Sequence, residues 1–310
     1  MTTLRRARPL LGTVVEIQAT GPHEHVLRQA ISAAFAEVAR LHCLMSFHEP
    51  GSDVYRLNSE ARHGPVEVAP ETYQVLETAA ALHAASCGLF DISIAAALVA
   101  RRQLPDLHYQ RVNDTRVSAR EIELLPDCRV RFARPLLIDL GGIAKGYVVD
   151  RAITVLSRQP EVKSALINAG GDVRVTGIAH ERIHIRHPFV GSRVLPPIRL
   201  HNAAIASSAA AGMRPREARQ GPHANPHRPD APPRHAAVSV VSPTCVLADA
   251  LTKVLMAGGP EAACVVSAFG SAAMTIDWDG SIRRTATFPD FESGAQAEHP
   301  TVACGSFQIA

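Results

Sequence analysis

The chain has 310 residues, enough to bury a substantial core as one large domain or two lobes. Hydrophobic residues make up 46%, charged residues 20% and aromatic residues 5%, and the formal net charge is +3. No basic block or base-stacking platform suited to nucleic acid stands out, and no apolar run is long enough to insert in a membrane. The six cysteines (Cys43, Cys87, Cys128, Cys245, Cys264 and Cys304) form no C-x-x-C pair. They read as reduced, buried thiols of a cytoplasmic protein and suggest neither a disulfide framework nor a zinc site. The opening MTTLRRARPLLGTVVEIQAT has arginines but no long apolar stretch, so no secretory signal or lipoprotein cysteine is expected.

Thr13 to Gln18 reads as a strand, and Glu24 to Leu44 as an amphipathic helix with Val26, Ala30, Ala33, Ala34, Val38 and Leu41 on its inner face. A polar loop follows through Ser52-Asp53, entered at Met45, which from its type alone reads as core filler. Val66 to Val68 is a short strand, Pro70 to His83 a helix, and Gly88 to Ser93 a break. Glu121 to Phe132 suggests a hairpin turning at Pro126-Asp127.

The stretch Pro135 to Asp150, PLLIDLGGIAKGYVVD, organises the rest. Leu136 to Ile138 reads as a buried strand, Gly141-Gly142 as a turn, and the helical pattern begins at Ile143 with Lys145 in its first turn. Free backbone N–H groups, a positive helix end and a lysine then face one place, which makes a candidate anion site. Asp139 offers a hydrogen-bond acceptor or part of a metal site. Of 32 Lys and Arg residues only Lys145, Lys163 and Lys253 are lysine, so a lysine at a glycine turn answers a local need for a compact ammonium.

Ser164 to Asn168 is a strand, turning at Ala169-Gly170-Gly171-Asp172 into Val173 to Val175. Arg182 to Arg186 alternates as a strand with His184 half-buried, and Leu200 to Ala206 leads into Ser207-Ser208. Residues 212–236 are rich in Pro, Arg and His and form a loop whose three histidines fit no metal spacing. Val238 to Val241 is a strand, and Leu247 to Ala257 a helix that carries Asp249 and Lys253 on one face. The plain reading of that pair is a surface ion pair. The mixture predicts an α+β fold with a largely antiparallel sheet and packed helices over residues 1–280, and a weakly patterned tail over 281–310.

Taken in order, these segments resemble the ApbE family of FAD:protein FMN transferases. The resemblance rests on Leu11-Gly12-Thr13, Met45-Ser46, Ser52-Asp53, Leu57-Asn58 and Phe90-Asp91-Ile92-Ser93. It continues through the ID-x-GG-x-AKG core at Ile138 to Gly146, Asn168 to Asp172, Ala206 to Ala209, and Ala248 to Leu251. It implies a two-lobed, T-fold-like single domain that binds FAD and Mg²⁺ and transfers FMN to a Thr or Ser of an acceptor flavoprotein, releasing AMP. A flavin carrier without transfer and a Mg²⁺-dependent FAD pyrophosphatase are the alternatives. By resemblance, Met45 packs on the flavin, and Asp139, Gly141, Gly142, Lys145, Gly170, Gly171, Asp172, Ser207, Ser208 and His223 bind FAD. His223, Lys145 and Asp249 are implied in catalysis, and Gly142, Asp249, Thr252 and Lys253 stand at the metal position. Two positions depart from the family pattern. Lys253 stands where a threonine is usual, which implies an ammonium within reach of Asp249 and the FAD phosphates that takes part of the metal's role, and His223-Ala224-Asn225-Pro226 replaces His-x-x-Asp-Pro.

Overall fold

In a computed structural model, the structure describes residues 1–107, 109, 118–189, 194–210 and 223–292, with the backbone of 306–309. Strands β1 (Thr2–Leu10) and β2 (Thr13–Gly21) are followed by α1 (Glu24–Met45), α2 (Asp53–Glu60), β3 (Val66–Glu67), α3 (Pro70–Ala85) and α4 (Ala95–Ala100). Next come β4 (Ile122–Leu125), β5 (Arg129–Phe132) and α5 (Ala144–Ser157). Then follow β6 (Ser164–Ala169), β7 (Asp172–Gly177), β8 (Glu181–Ile185), β9 (Ile198–Leu200), β10 (Ala204–Ala209) and β11 (Ala237–Ser242). The chain continues with α6 (Cys245–Gly258), α7 (Ala263–Ala268), β12 (Ala272–Ile276), β13 (Ile282–Arg284) and β14 (Ser306–Ile309).

One antiparallel sheet of eight strands, ordered β1-β2-β6-β7-β10-β11-β12-β13, carries the fold. This is the α+β, largely antiparallel architecture that the sequence predicts. Val15, Ile17 and Ala19 alternate inward from β2 and meet Leu27, Ile31 and Val38 of α1 in the main core. A smaller core lies on the opposite face, where Leu166, Val173, Val175, Ile183 and Met274 pack with Phe288. Central strand β6, SALINA, is therefore buried at all six positions, which explains why its sequence lacks the in–out alternation of a half-buried strand. The hairpin at Gly170-Gly171 needs left-handed backbone at both residues, with φ of 66° and 107°, and glycine supplies it.

Several expectations are corrected. Leu136 to Ile138 is buried but is not a strand, because its backbone bonds go elsewhere, as described below. Of the five described cysteines only Cys245 is buried; Cys43, Cys87 and Cys264 are exposed, since each falls on the outward side of its helix or turn. β1 was not anticipated, because its burial alternates only between exposed and half-buried positions. Past residue 280, β13 extends the sheet and Glu292 bridges Arg182 of β8 and Arg199 of β9.

Helices α5 and α6 meet at Gly146. A Cβ there would lie 2.3 Å from the Cys245 carbonyl oxygen and 2.8 Å from the Val246 Cα, so only glycine permits the crossing. The helices also cap each other. Asp150 of α5 accepts the N–H groups of Cys245 and Val246 at the start of α6, both at 2.9 Å. Asp249 of α6 accepts the Gly146 N–H at the start of α5, at 3.2 Å. Each carboxylate thus meets donors that a helix leaves unpaired in its first turn. We expect Gly146→Ala to lower stability by about 1–3 kcal/mol or more through overpacking against backbone. A urea denaturation midpoint unchanged from wild type would contradict the crossing.

Candidate active site

The site is built on a strap that no sheet holds. The Ile138 N–H donates to Asn58 Oδ1 at 2.8 Å, and Asn58 Nδ2 donates back to the Ile138 carbonyl at 3.0 Å. The Asp139 N–H donates to the Ile92 carbonyl at 2.9 Å. One buried amide from α2 therefore satisfies both polar groups of Ile138, as a neighbouring strand would have done. The strap delivers Gly141 and Gly142 to the start of α5. Burial pushes the Asp139 carboxyl above its ordinary range, against the backbone N–H groups of Gly141 and Leu140 that stabilise its charged form. A Cβ on Gly142 would come 3.3 Å from Cγ of Lys253, so this glycine makes room for the lysine stem.

Two ammoniums and two carboxylates occupy the junction of α5, α6 and the β6–β7 turn. Lys145 pairs with Asp172, which is 1% exposed. Lys253 Nζ donates to Asp249 Oδ1 at 2.7 Å and to Ser208 Oγ and Thr252 Oγ1 at 3.0 Å each. Thr252 Oγ1 donates in turn to the Asp249 carbonyl at 2.6 Å and lies 2.8 Å from Ser208 Oγ. Asp249 and Thr252 are wholly buried. Burial would raise the Asp249 carboxyl, but the charges of Lys145 and Lys253 outweigh it and hold the group below the ordinary carboxylate range. Burial would lower the Lys145 ammonium, yet Asp172 and Asp249 hold it well above its usual value. Burial and the Asp249 charge push Asp172 up. Asp249 is thus ionised at neutral pH, and Lys253 is in no sense a surface pair.

These groups face a cavity of about 470 Å³. Its walls bring together Asp139, Gly141, Gly142, Lys145, Ser207, Ser208, His223 and Lys253. Asp172, Asp249 and Thr252 stand behind that wall and hold the two lysines. Gly170 and Gly171 form the turn that carries Asp172, and the Gly171 N–H is tied to Asn168 Oδ1 at 3.0 Å. Met45 lies at the end of α1, 5% exposed within the main core and outside the cavity lining. Leu89, Phe90, Leu98 and Met256 supply an apolar side that sequence reasoning did not assign, and Arg186 at the end of β8 adds a guanidinium. No local pattern marks these residues, because the fold gathers them from four separate segments. A neighbouring cavity of about 790 Å³ shares the walls at Asp91, Ile94, Ala224 and Pro226.

His223 is the titratable group of most chemical interest in the cavity. Burial first, and then the charge of Lys253, lower its imidazole from 6.5 to about 4, while a hydrogen bond to the Ala209 backbone works the other way. The ring is therefore neutral at pH 7 and able to accept a proton. Because the folded value lies below the unfolded one, this group's stability contribution is complete above about pH 6.5 and is lost as the pH falls toward 4. We expect denaturation curves across that window to show falling stability in wild type and a shallower fall in His223→Gln. Parallel slopes would contradict a neutral, desolvated ring.

Comparison with known proteins points to one family. Residues 11–274 match the ApbE family. The FAD:protein FMN transferase of Klebsiella pneumoniae (strain 342) is 30% identical over 172 residues, 53% of this chain and 54% of that protein. The FAD:protein FMN transferase of Treponema pallidum (strain Nichols) is 26% identical over 190 residues, 56% of this chain and 52% of that protein. The chain thus aligns over about half the length of these curated relatives. The crystal structure of the ApbE protein of Thermotoga maritima superposes with a TM-score of 0.79 at 25% identity, covering 92% of this chain and 98% of that one. The flavin transferase ApbE of Vibrio cholerae superposes with a TM-score of 0.75 at 21% identity, covering 92% and 96%. With a family match that runs from the β1–β2 turn into β12, and the same large antiparallel sheet in those structures, the chain belongs to the ApbE family.

Proposed function

We propose that this chain transfers FMN from FAD to the hydroxyl of a Thr or Ser in an acceptor flavoprotein and releases AMP. The observation that carries the reading is the convergence, on one cavity, of a glycine corner, two ammoniums and a neutral imidazole. The two ammoniums suit a pyrophosphate, since both face one cavity and can donate to its oxygens, while the N–H groups of Ile143, Ala144 and Gly146 are already bonded within the protein. The apolar wall of Leu89, Phe90 and Met256 suits a flavin or adenine ring, and the adjoining cavity leaves room for the rest of a dinucleotide.

In the proposed reaction the acceptor oxygen attacks the phosphorus on the FMN side of the pyrophosphate. A new P–O bond forms, the bridging P–O bond breaks, and AMP leaves with the bridging oxygen. His223 takes the hydroxyl proton. Lys145 and Lys253 face the negative charge that gathers on the leaving oxygens. The names of the curated relatives support transfer, and among the described residues no helix is long and apolar enough to cross a membrane.

The resemblance also implies Mg²⁺, which as a bound ion would neutralise phosphate charge. Asp249 and the Gly142 carbonyl are oxygen donors of the kind that ion takes. Lys253 is not, since an ammonium has no lone pair, and its Nζ already lies 2.7 Å from Asp249 Oδ1. The donor set does not fit a dication as it stands, and no step above runs through one.

Incubating the protein with FAD and a co-expressed flavoprotein subunit, followed by mass spectrometry, tests the reading. The expected result is an acceptor heavier by one FMN, with AMP in equal amount. Release of free FMN without adduct would make the protein an FAD pyrophosphatase, and intact FAD in the bound fraction would make it a carrier.

A further inference from the structure

We propose that the Lys253 ammonium is the resident cation of this site and replaces the divalent metal. This rests on the flavin reading for its ligand, FAD, but the geometry is this chain's own. An ammonium offers three donors, and Lys253 uses them on Asp249, Ser208 and Thr252 at 2.7, 3.0 and 3.0 Å. The carboxylate and two hydroxyls are therefore arranged around a singly charged centre at hydrogen-bond distance. A Mg²⁺ ion needs oxygens at about 2.0–2.1 Å in an octahedron. It would have to evict the ammonium from Asp249 and stand next to it unscreened.

The lysine is also built into place. Its stem passes over Gly142, where a Cβ would press on Cγ at 3.3 Å. The Thr252 hydroxyl is held by the Asp249 carbonyl and so presents its lone pairs outward. Local charge already balances, because Lys145 and Lys253 face Asp172 and Asp249. Among the described residues no cluster of three or more His, Cys, Asp or Glu offers the metal another seat. Lys253 lines the cavity and is 25% exposed along its side chain, so it meets a ligand directly. An arriving phosphate oxygen exchanges with Ser208 or Thr252, which are neutral acceptors, and gives a stronger, charge-assisted bond. Asp249 meanwhile keeps the ammonium anchored.

The test has two arms, each run on wild type, Lys253→Thr and the uncharged near-isostere Lys253→Met. In the first, Mg²⁺ alone is titrated calorimetrically into ligand-free protein. Wild type is expected to give no saturable binding in the millimolar range, and Lys253→Thr to gain it. In the second, FAD affinity is measured in EDTA and in excess Mg²⁺. Wild type is expected to change less than twofold between the two, Lys253→Met to lose at least tenfold in both, and Lys253→Thr to recover affinity only with Mg²⁺. Tight Mg²⁺ binding by wild type, or a tenfold gain in its FAD affinity on adding Mg²⁺, would overturn the proposal. Failure of wild type to bind FAD under either condition would overturn the flavin reading instead, and the calorimetric arm then decides the role of Lys253.

Discussion

The structure depends on two helix starts brought to one point. α5 and α6 cross where Gly146 has no side chain, and each supplies the carboxylate that caps the other. A helix N-terminus leaves N–H groups and partial positive charge unpaired, and burying two such ends together would repel without an anion between them. Asp150 and Asp249 are those anions. The constraint then sets the site, since Lys145 is one residue from the crossing and Lys253 one turn beyond Asp249. The two lysines are placed by a packing problem that the helices must solve in any case.

The same arrangement explains the electrostatics. A carboxylate as buried as Asp249 costs a great deal to ionise unless cations and hydrogen bonds surround it. Here it has two ammoniums and the Gly146 N–H, and it stays charged. Burial first, and then the charge of Lys253, keep His223 neutral, while the charge of Asp249 works the other way.

Much of this was legible in the sequence. Glycine followed by a first-turn lysine predicted the corner at Gly141 to Lys145, and the four-residue spacing placed Asp249 and Lys253 on one face. Spacing could not say that the face is buried, so it left a surface contact open beside a role at the phosphates. It also could not supply the partner of Lys145, because Asp172 arrives from a hairpin 27 residues away. Leu136 to Ile138 looked like a strand for a sound reason: buried apolar runs usually sit in sheets. A side-chain amide can satisfy the same backbone, and nothing in the local pattern distinguishes the two. The second core was missed because β6 is covered on both faces, and a strand without alternation gives no side to assign.

That amide has a mechanical consequence. A strand held by a ladder can slip by one residue and keep most of its bonds, at the cost of turning every side chain over. The strap leading to Gly141 lacks that freedom. Asn58 grips the N–H and the carbonyl of one residue, Ile138, and a shift of a single position would leave both ends of the amide facing the wrong atoms. Ile138 is therefore a datum, the fixed mark from which Asp139, the two glycines and the first turn of α5 are measured out.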